Sequence, residues 1–136
     1  RSALTGLYEF DPKLMLGLAG AQFAGGEPAA ARATLELLIE KNPDFMSPDG
    51  HLLYARAVEA SGDKAKALEE YAALAAYYPG AEAAVRYAAL LRKEGRSEES
   101  RRVLRELLDQ ARIAPAYYRR TQKEWLTAAE RDRGAG

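Results

Sequence analysis

A glycine followed by a charged residue recurs at Gly26-Glu27, Gly62-Asp63 and Gly95-Arg96, at spacings of 36 and 33 residues. Whatever this chain buries must be organised around that period. Five residues after each glycine stands a small residue, Ala31, Ala67 and Ser100. A large one follows at Leu35, Tyr71 and Leu104, and leucine closes each run at Leu38, Leu74 and Leu107. Upstream of the glycines, Leu18-Ala19, Tyr54-Ala55 and Tyr87-Ala88 occupy matching positions. Spacings of three and four place these residues on one face of a helix. A glycine suits the position just after a helix, where positive φ is cheap, and Asp63 can cap the next helix by accepting from its free N–H groups. Each period is therefore expected to be a helical hairpin.

The small residues have a steric purpose. Ala19, Ala55 and Ala88 on one helix, with Ala31, Ala67 and Ser100 on the other, let two backbones approach while the large residues fill the flanking space. One hairpin cannot bury its apolar face alone, so neighbours must stack. Pro43 and Pro79 follow the second helices of the first two units, where a residue without N–H ends a helix. The turn signals predict seven helices, at 13–24, 28–41, 49–60, 64–77, 81–94, 97–112 and 115–131.

This pattern resembles the tetratricopeptide repeat (TPR) family over residues 12–112, and GDKAKALEEYAALAAYYP, residues 62–79, carries it most fully. The first unit has Gln22 where the family usually has an aromatic, and the third lacks the closing proline. The resemblance implies an all-α fold, a right-handed α-α superhelix (α-solenoid) of three hairpins at 12–47, 48–80 and 81–112. A capping helix at 113–133 completes it, built on Pro115, Tyr118, Trp125, Leu126 and Ala129. Residues 1–11 read as the remnant of an upstream repeat: the chain opens on Arg1, and Ala3, Leu4, Leu7, Tyr8 and Phe10 form an apolar cluster too short for a hairpin. Self-association through that N-terminal edge is expected.

Composition narrows the function classes. With 136 residues, 48% hydrophobic and 29% charged, the chain is globular rather than disordered. It has no run of roughly 18 apolar residues to span a bilayer, so no membrane contact is expected from it. The absence of cysteine removes disulfides and thiolate metal sites and fits a cytoplasmic location. Formal charge is zero, yet residues 1–85 carry 7 basic and 12 acidic side chains against 13 and 8 in residues 86–136. Such polarity fits a solvated helical surface and favours an acidic partner at the basic end.

Candidate chemistry is sparse. His51, the single histidine, has no cysteine or carboxylate cluster beside it and is assigned to packing, so neither metal nor cofactor is expected. The glycines of GLAG (17–20) and AGG (24–26) fall in and after a helix, without the preceding strand a phosphate loop needs, and are assigned to close packing and a C-cap. Glu69-Glu70 and Glu98-Glu99 are solvent-facing neighbours with no acid/base geometry. Tyr117, Tyr118, Arg119, Arg120 and Trp125 invite a nucleic-acid reading, but neutral charge and the packing face assigned to Tyr118 and Trp125 argue against it.

In proteins similar to this one, the first helix of each hairpin lines a groove that holds a peptide or protein. The matching set is Leu16, Gly20 and Phe23; Leu52, Arg56 and Glu59; and Val85, Ala89, Arg92 and Lys93. A helical net groups these on a common face. Some relatives clamp a C-terminal carboxylate with lysine, asparagine and arginine; this set has no asparagine. The expectation is a non-catalytic interaction module, or a scaffold in an assembly, with apolar anchors at Leu16, Phe23 and Leu52 and orientation by Arg56, Arg92 and Lys93. The alternative is a regulatory or substrate-recruiting appendage of an enzyme or membrane complex encoded upstream.

Overall fold

A computed structural model describes residues 10–135. Among them are eight helices and no strand: α1 (Pro12–Ala24), α2 (Pro28–Lys41), α3 (Pro48–Ala60), α4 (Lys64–Ala75), α5 (Glu82–Lys93), α6 (Ser97–Ile113), α7 (Ala116–Thr121) and α8 (Lys123–Ala135). Contacts group the chain into two compact units that meet within α4, between Ala67 and Leu68. The expectations for residues 1–9 lie outside the described residues.

The starts of the helices follow from local chemistry. Pro12, Pro28 and Pro48 each open a helix, where the missing N–H would be unpaired anyway. The Asp11 carboxylate accepts from Lys13 N at 2.9 Å and Leu14 N at 3.1 Å, and the Ser47 hydroxyl accepts from Gly50 N at 2.9 Å. The three turns are near copies. Gly26, Gly62 and Gly95 have φ of 82°, 97° and 81°, and the residue after each donates its N–H five residues back, to Gln22, Val58 and Leu91. This closure satisfies carbonyls that the helix end leaves open and reverses the chain in three residues.

In the first unit, Ala19, Ala31, Ala55 and Ala67 have no exposed surface, and Met15, Leu35, Leu38 and Leu52 are buried with them. Thr34 Oγ1 donates to Gln22 Oε1 at 2.7 Å, joining α1 to α2. The polar side chain that replaced the family's aromatic thus has a partner. Asn42 Nδ2 donates to the carbonyls of Phe10 (2.8 Å) and Leu38 (3.1 Å), fastening the hairpin's exit to its entry, and Lys41 lies 5.0 Å over the Phe10 ring. Leu14 and Leu18 on α1 and Ile39 on α2 are exposed.

In the second unit, Val85 and Ala88 of α5, Leu104 of α6 and Ala129 of α8 form one buried cluster, with Trp125 packed at its margin. Ser100 Oγ donates to the Ala88 carbonyl at 2.7 Å, so the one small polar residue of the repeat pattern spans the seam directly. With no proline before Pro115, α6 runs 17 residues, three more than α2.

One expectation is corrected here. The single capping helix predicted at 115–131 is two helices, α7 and α8, broken at Gln122. Gln122 Oε1 accepts from Ala81 N at 2.8 Å, and its backbone bridges the two segments, donating to Tyr118 O and accepting from Leu126 N.

A charged network ties α3 to α2. Tyr54 Oη and Arg32 Nε both donate to Glu36 Oε2, at 2.8 and 3.1 Å, and Arg32 also pairs with Asp63 at 3.3 Å. The Tyr54 hydrogen bond first, then that of Arg32, holds the Glu36 carboxyl below the usual carboxylate range. Because folded Glu36 binds its proton less readily than unfolded Glu36, its contribution is complete above the ordinary carboxylate pKa and is lost as pH falls through the lowered value. Glu36→Gln should therefore flatten the acid limb of a stability–pH profile measured by chemical denaturation, and leave the slope near neutrality unchanged.

Candidate functional site

The predicted groove residues divide between the units. Leu16, Gly20 and Phe23 on α1 and Leu52, Arg56 and Glu59 on α3 belong to the first; Val85, Ala89, Arg92 and Lys93 on α5 belong to the second. Each set is described by itself.

In the first unit the structure brings Phe23 and Arg56 together: the guanidinium carbon lies 4.8 Å from the ring centroid, and both side chains are half-buried. The contact fixes a planar donor fork over an aromatic ring. Leu16 sits against α3 at Gly50, where an added Cβ would meet Leu16 Cδ1 at 3.3 Å. Leu52 retains only 5% of its surface, so it supports the face from beneath and leaves little to offer as an anchor. Glu59 is half-buried at the end of α3, where its carbonyl accepts from Lys64 Nζ at 3.3 Å.

In the second unit Val85, 5% exposed, is likewise part of the core. Ala89 is half-buried above it, and Arg92 and Lys93 are exposed in the last turn of α5. Cations there also complement the negative end of the helix dipole.

The assignment of Gly17 and Gly20 to close packing is corrected. Among the described residues a Cβ built at either would meet nothing within 4 Å, so no described helix requires a glycine at 17 or 20. Ala19, fully buried between them, makes the packed contact instead. Two open glycines inside one helix cost about 1 kcal/mol each relative to alanine. Gly26 does serve as the turn residue assigned to it, at φ 82°.

His51 is half-buried on α3, and among the described residues no three His, Cys, Asp or Glu side chains converge as a metal-binding group. No helix of the described residues is long and apolar enough to cross a membrane. Glu98 pairs with Arg101, and Glu99 with Arg96 at 2.8 Å. Arg101 and Arg96 hold these carboxyls below their usual range, the opposite of what a general acid needs.

Sequence reasoning missed a cavity of about 440 Å³ beside the Gln122 break, walled by Tyr78, Tyr117, Tyr118 and Trp125. The pairing of Tyr117-Tyr118 with Trp125 was the available signal. Trp125 does pack against the core, but it also lines this cavity, and Tyr117 is 69% exposed.

With three hairpins of matching turn and seam, the chain has the architecture of a helical-repeat protein. A tetratricopeptide repeat family model matches residues 13–44, the first hairpin. No curated protein matches the chain. Repeats of this family serve generally as modules that bind proteins or peptides.

Alanine at either open glycine should stabilise the fold. Gly17→Ala and Gly20→Ala are each expected to raise the unfolding free energy by about 0.5–1 kcal/mol, read from urea denaturation midpoints at unchanged slope.

Proposed function

We propose that this chain is a non-catalytic interaction module that binds an acidic or carboxylate-bearing peptide segment on the first-helix faces of its hairpins. The observation that supports this reading is the contact of Arg56 on α3 with Phe23 on α1, with Gly20 three residues before Phe23 on the same helix. Glycine lets a bound backbone approach closely, the Phe23 ring supplies an apolar platform, and the Arg56 fork recognises a carboxylate with two parallel hydrogen bonds. On the second unit, Arg92 and Lys93 extend the same preference for negative charge in a basic half of the chain.

The open glycine is the telling element. Among the described residues nothing requires a glycine at position 20, and alanine there would be the better helix former. A surface that keeps a stability cost of this kind is the kind that makes close contact with something else.

A peptide-display library presented to the immobilised chain tests the proposal. Acidic sequences should be enriched, and Arg56→Glu combined with Arg92→Glu should weaken the selected peptides at least about tenfold, because each reversal substitutes repulsion for attraction. Gly20→Ala should weaken them while raising stability, and Gly17→Ala should raise stability alone. Peptides of no preferred charge, or affinities indifferent to the double reversal, would remove the assignment.

A further inference from the structure

The cavity beside the Gln122 break is built by contacts far apart in sequence. The Tyr78-Pro79-Gly80 turn is pressed against Gln122, whose amide oxygen accepts from Ala81 N at 2.8 Å. A Cβ at Gly80 would lie 2.8 Å from that oxygen and 3.3 Å from Tyr78 Cε2, so a side chain here would have to displace the Gln122 amide from its bond to Ala81. Tyr117 and Tyr118 from α7 and Trp125 from α8 close the other sides. The walls are fixed by the bond from Ala81 N to the Gln122 side chain and by the packing of Trp125 against the Val85 cluster.

Charge then decides what can enter. Glu82 is the one charged side chain of the lining, and it is held by Arg86 Nε at 2.8 Å. The Arg86 guanidinium in turn lies 5.2 Å from the Trp125 ring centroid. The carboxylate is therefore neutralised, and the indole already has a cation over it, which disfavours capture of a cationic ligand on that ring. What remains is a set of aromatic walls, of which the Tyr117 ring has the Arg120 guanidinium 5.7 Å from its centroid, and donors on the lining residues: the Trp125 indole N–H, the Tyr117 and Tyr118 hydroxyls, and the Gln122 amide NH2, whose oxygen is already engaged. Burial raises the Tyr118 phenol above its usual pKa, so it stays a donor at any physiological pH.

A polyproline II segment is complementary on each count. It presents pyrrolidine rings to aromatic walls and carbonyl acceptors to donors, carries no charge, and binds at low entropic cost because its conformation is already extended. We propose that this cavity is a second binding site of the chain, separate from the α1–α3 face, and that it takes a proline-rich peptide.

Trp125 is the only tryptophan in the chain, so its fluorescence reports on this wall alone. Acetylated decaproline titrated into the intact chain should give a saturable change in tryptophan emission below about 1 mM, and a glycine-serine decapeptide should give none. Tyr117→Ala removes an exposed ring without disturbing the core and should weaken decaproline at least about tenfold, while Arg56→Glu with Arg92→Glu should leave that affinity unchanged. Absence of saturable binding, or binding indifferent to Tyr117→Ala, would overturn the proposal. Loss of decaproline binding in the double arginine variant would place the peptide on the first-helix face instead, and binding of a trimethyl-lysine peptide but not decaproline would make the cavity a cation cage; either result also overturns it.

Discussion

The approach of two helices over small side chains is the contact on which the rest of the structure depends. Ala19 and Ala31, Ala55 and Ala67, and Ala88 and Ser100 recur in register, and none of the six exposes more than 4% of its surface. At the last pair the distance is visible, since the Ser100 hydroxyl reaches the Ala88 carbonyl at 2.7 Å. Close backbones let large neighbours such as Leu35 and Leu104 reach the opposite helix and bury fully. The left-handed glycine turns permit this approach by reversing the chain within three residues; they do not supply the energy.

The candidate faces follow from what the seam leaves over. Ala19 is committed to packing, Phe23 stands one turn further along α1 at the margin of that contact, and Arg56 of α3 comes to rest over the Phe23 ring. The seam also sorts residues that look alike in sequence. Leu52 and Val85 share the predicted offsets with exposed positions, yet both are 5% exposed and belong to the core. Phe23, Arg56 and the cations at the end of α5 are therefore the side chains of the predicted sets that these faces leave accessible, while Leu52 and Val85 stand in the core.

The hairpins were legible because their signals are local. Gly62 at φ 97° and the Asp63 carboxylate accepting from Lys66 N lie within a few residues of the groups they serve. The break at Gln122 was not legible, since nothing in RRTQKEW interrupts a helix by composition, and the Gln122 side chain's bond to Ala81 joins residues 41 positions apart. Gly17 and Gly20 misled for a related reason: a small residue in a helix has the same appearance whether another helix lies over it or open space does. The aromatic cavity needed the fold as well, because Tyr78 is brought to Tyr117 and Trp125 only by the turn at Gly80 and the Gln122 clamp.

The central claim is that the small-residue seam, not general hydrophobicity, sets the hairpin. Urea denaturation of Ala31→Leu beside Ala29→Leu isolates it, since both add the same atoms to α2, one at a fully buried position and one at an exposed position. Ala31→Leu should lose about 1–3 kcal/mol by overpacking, and Ala29→Leu should stay within about 0.5 kcal/mol of the parent. Equal stability of the two variants would contradict the account.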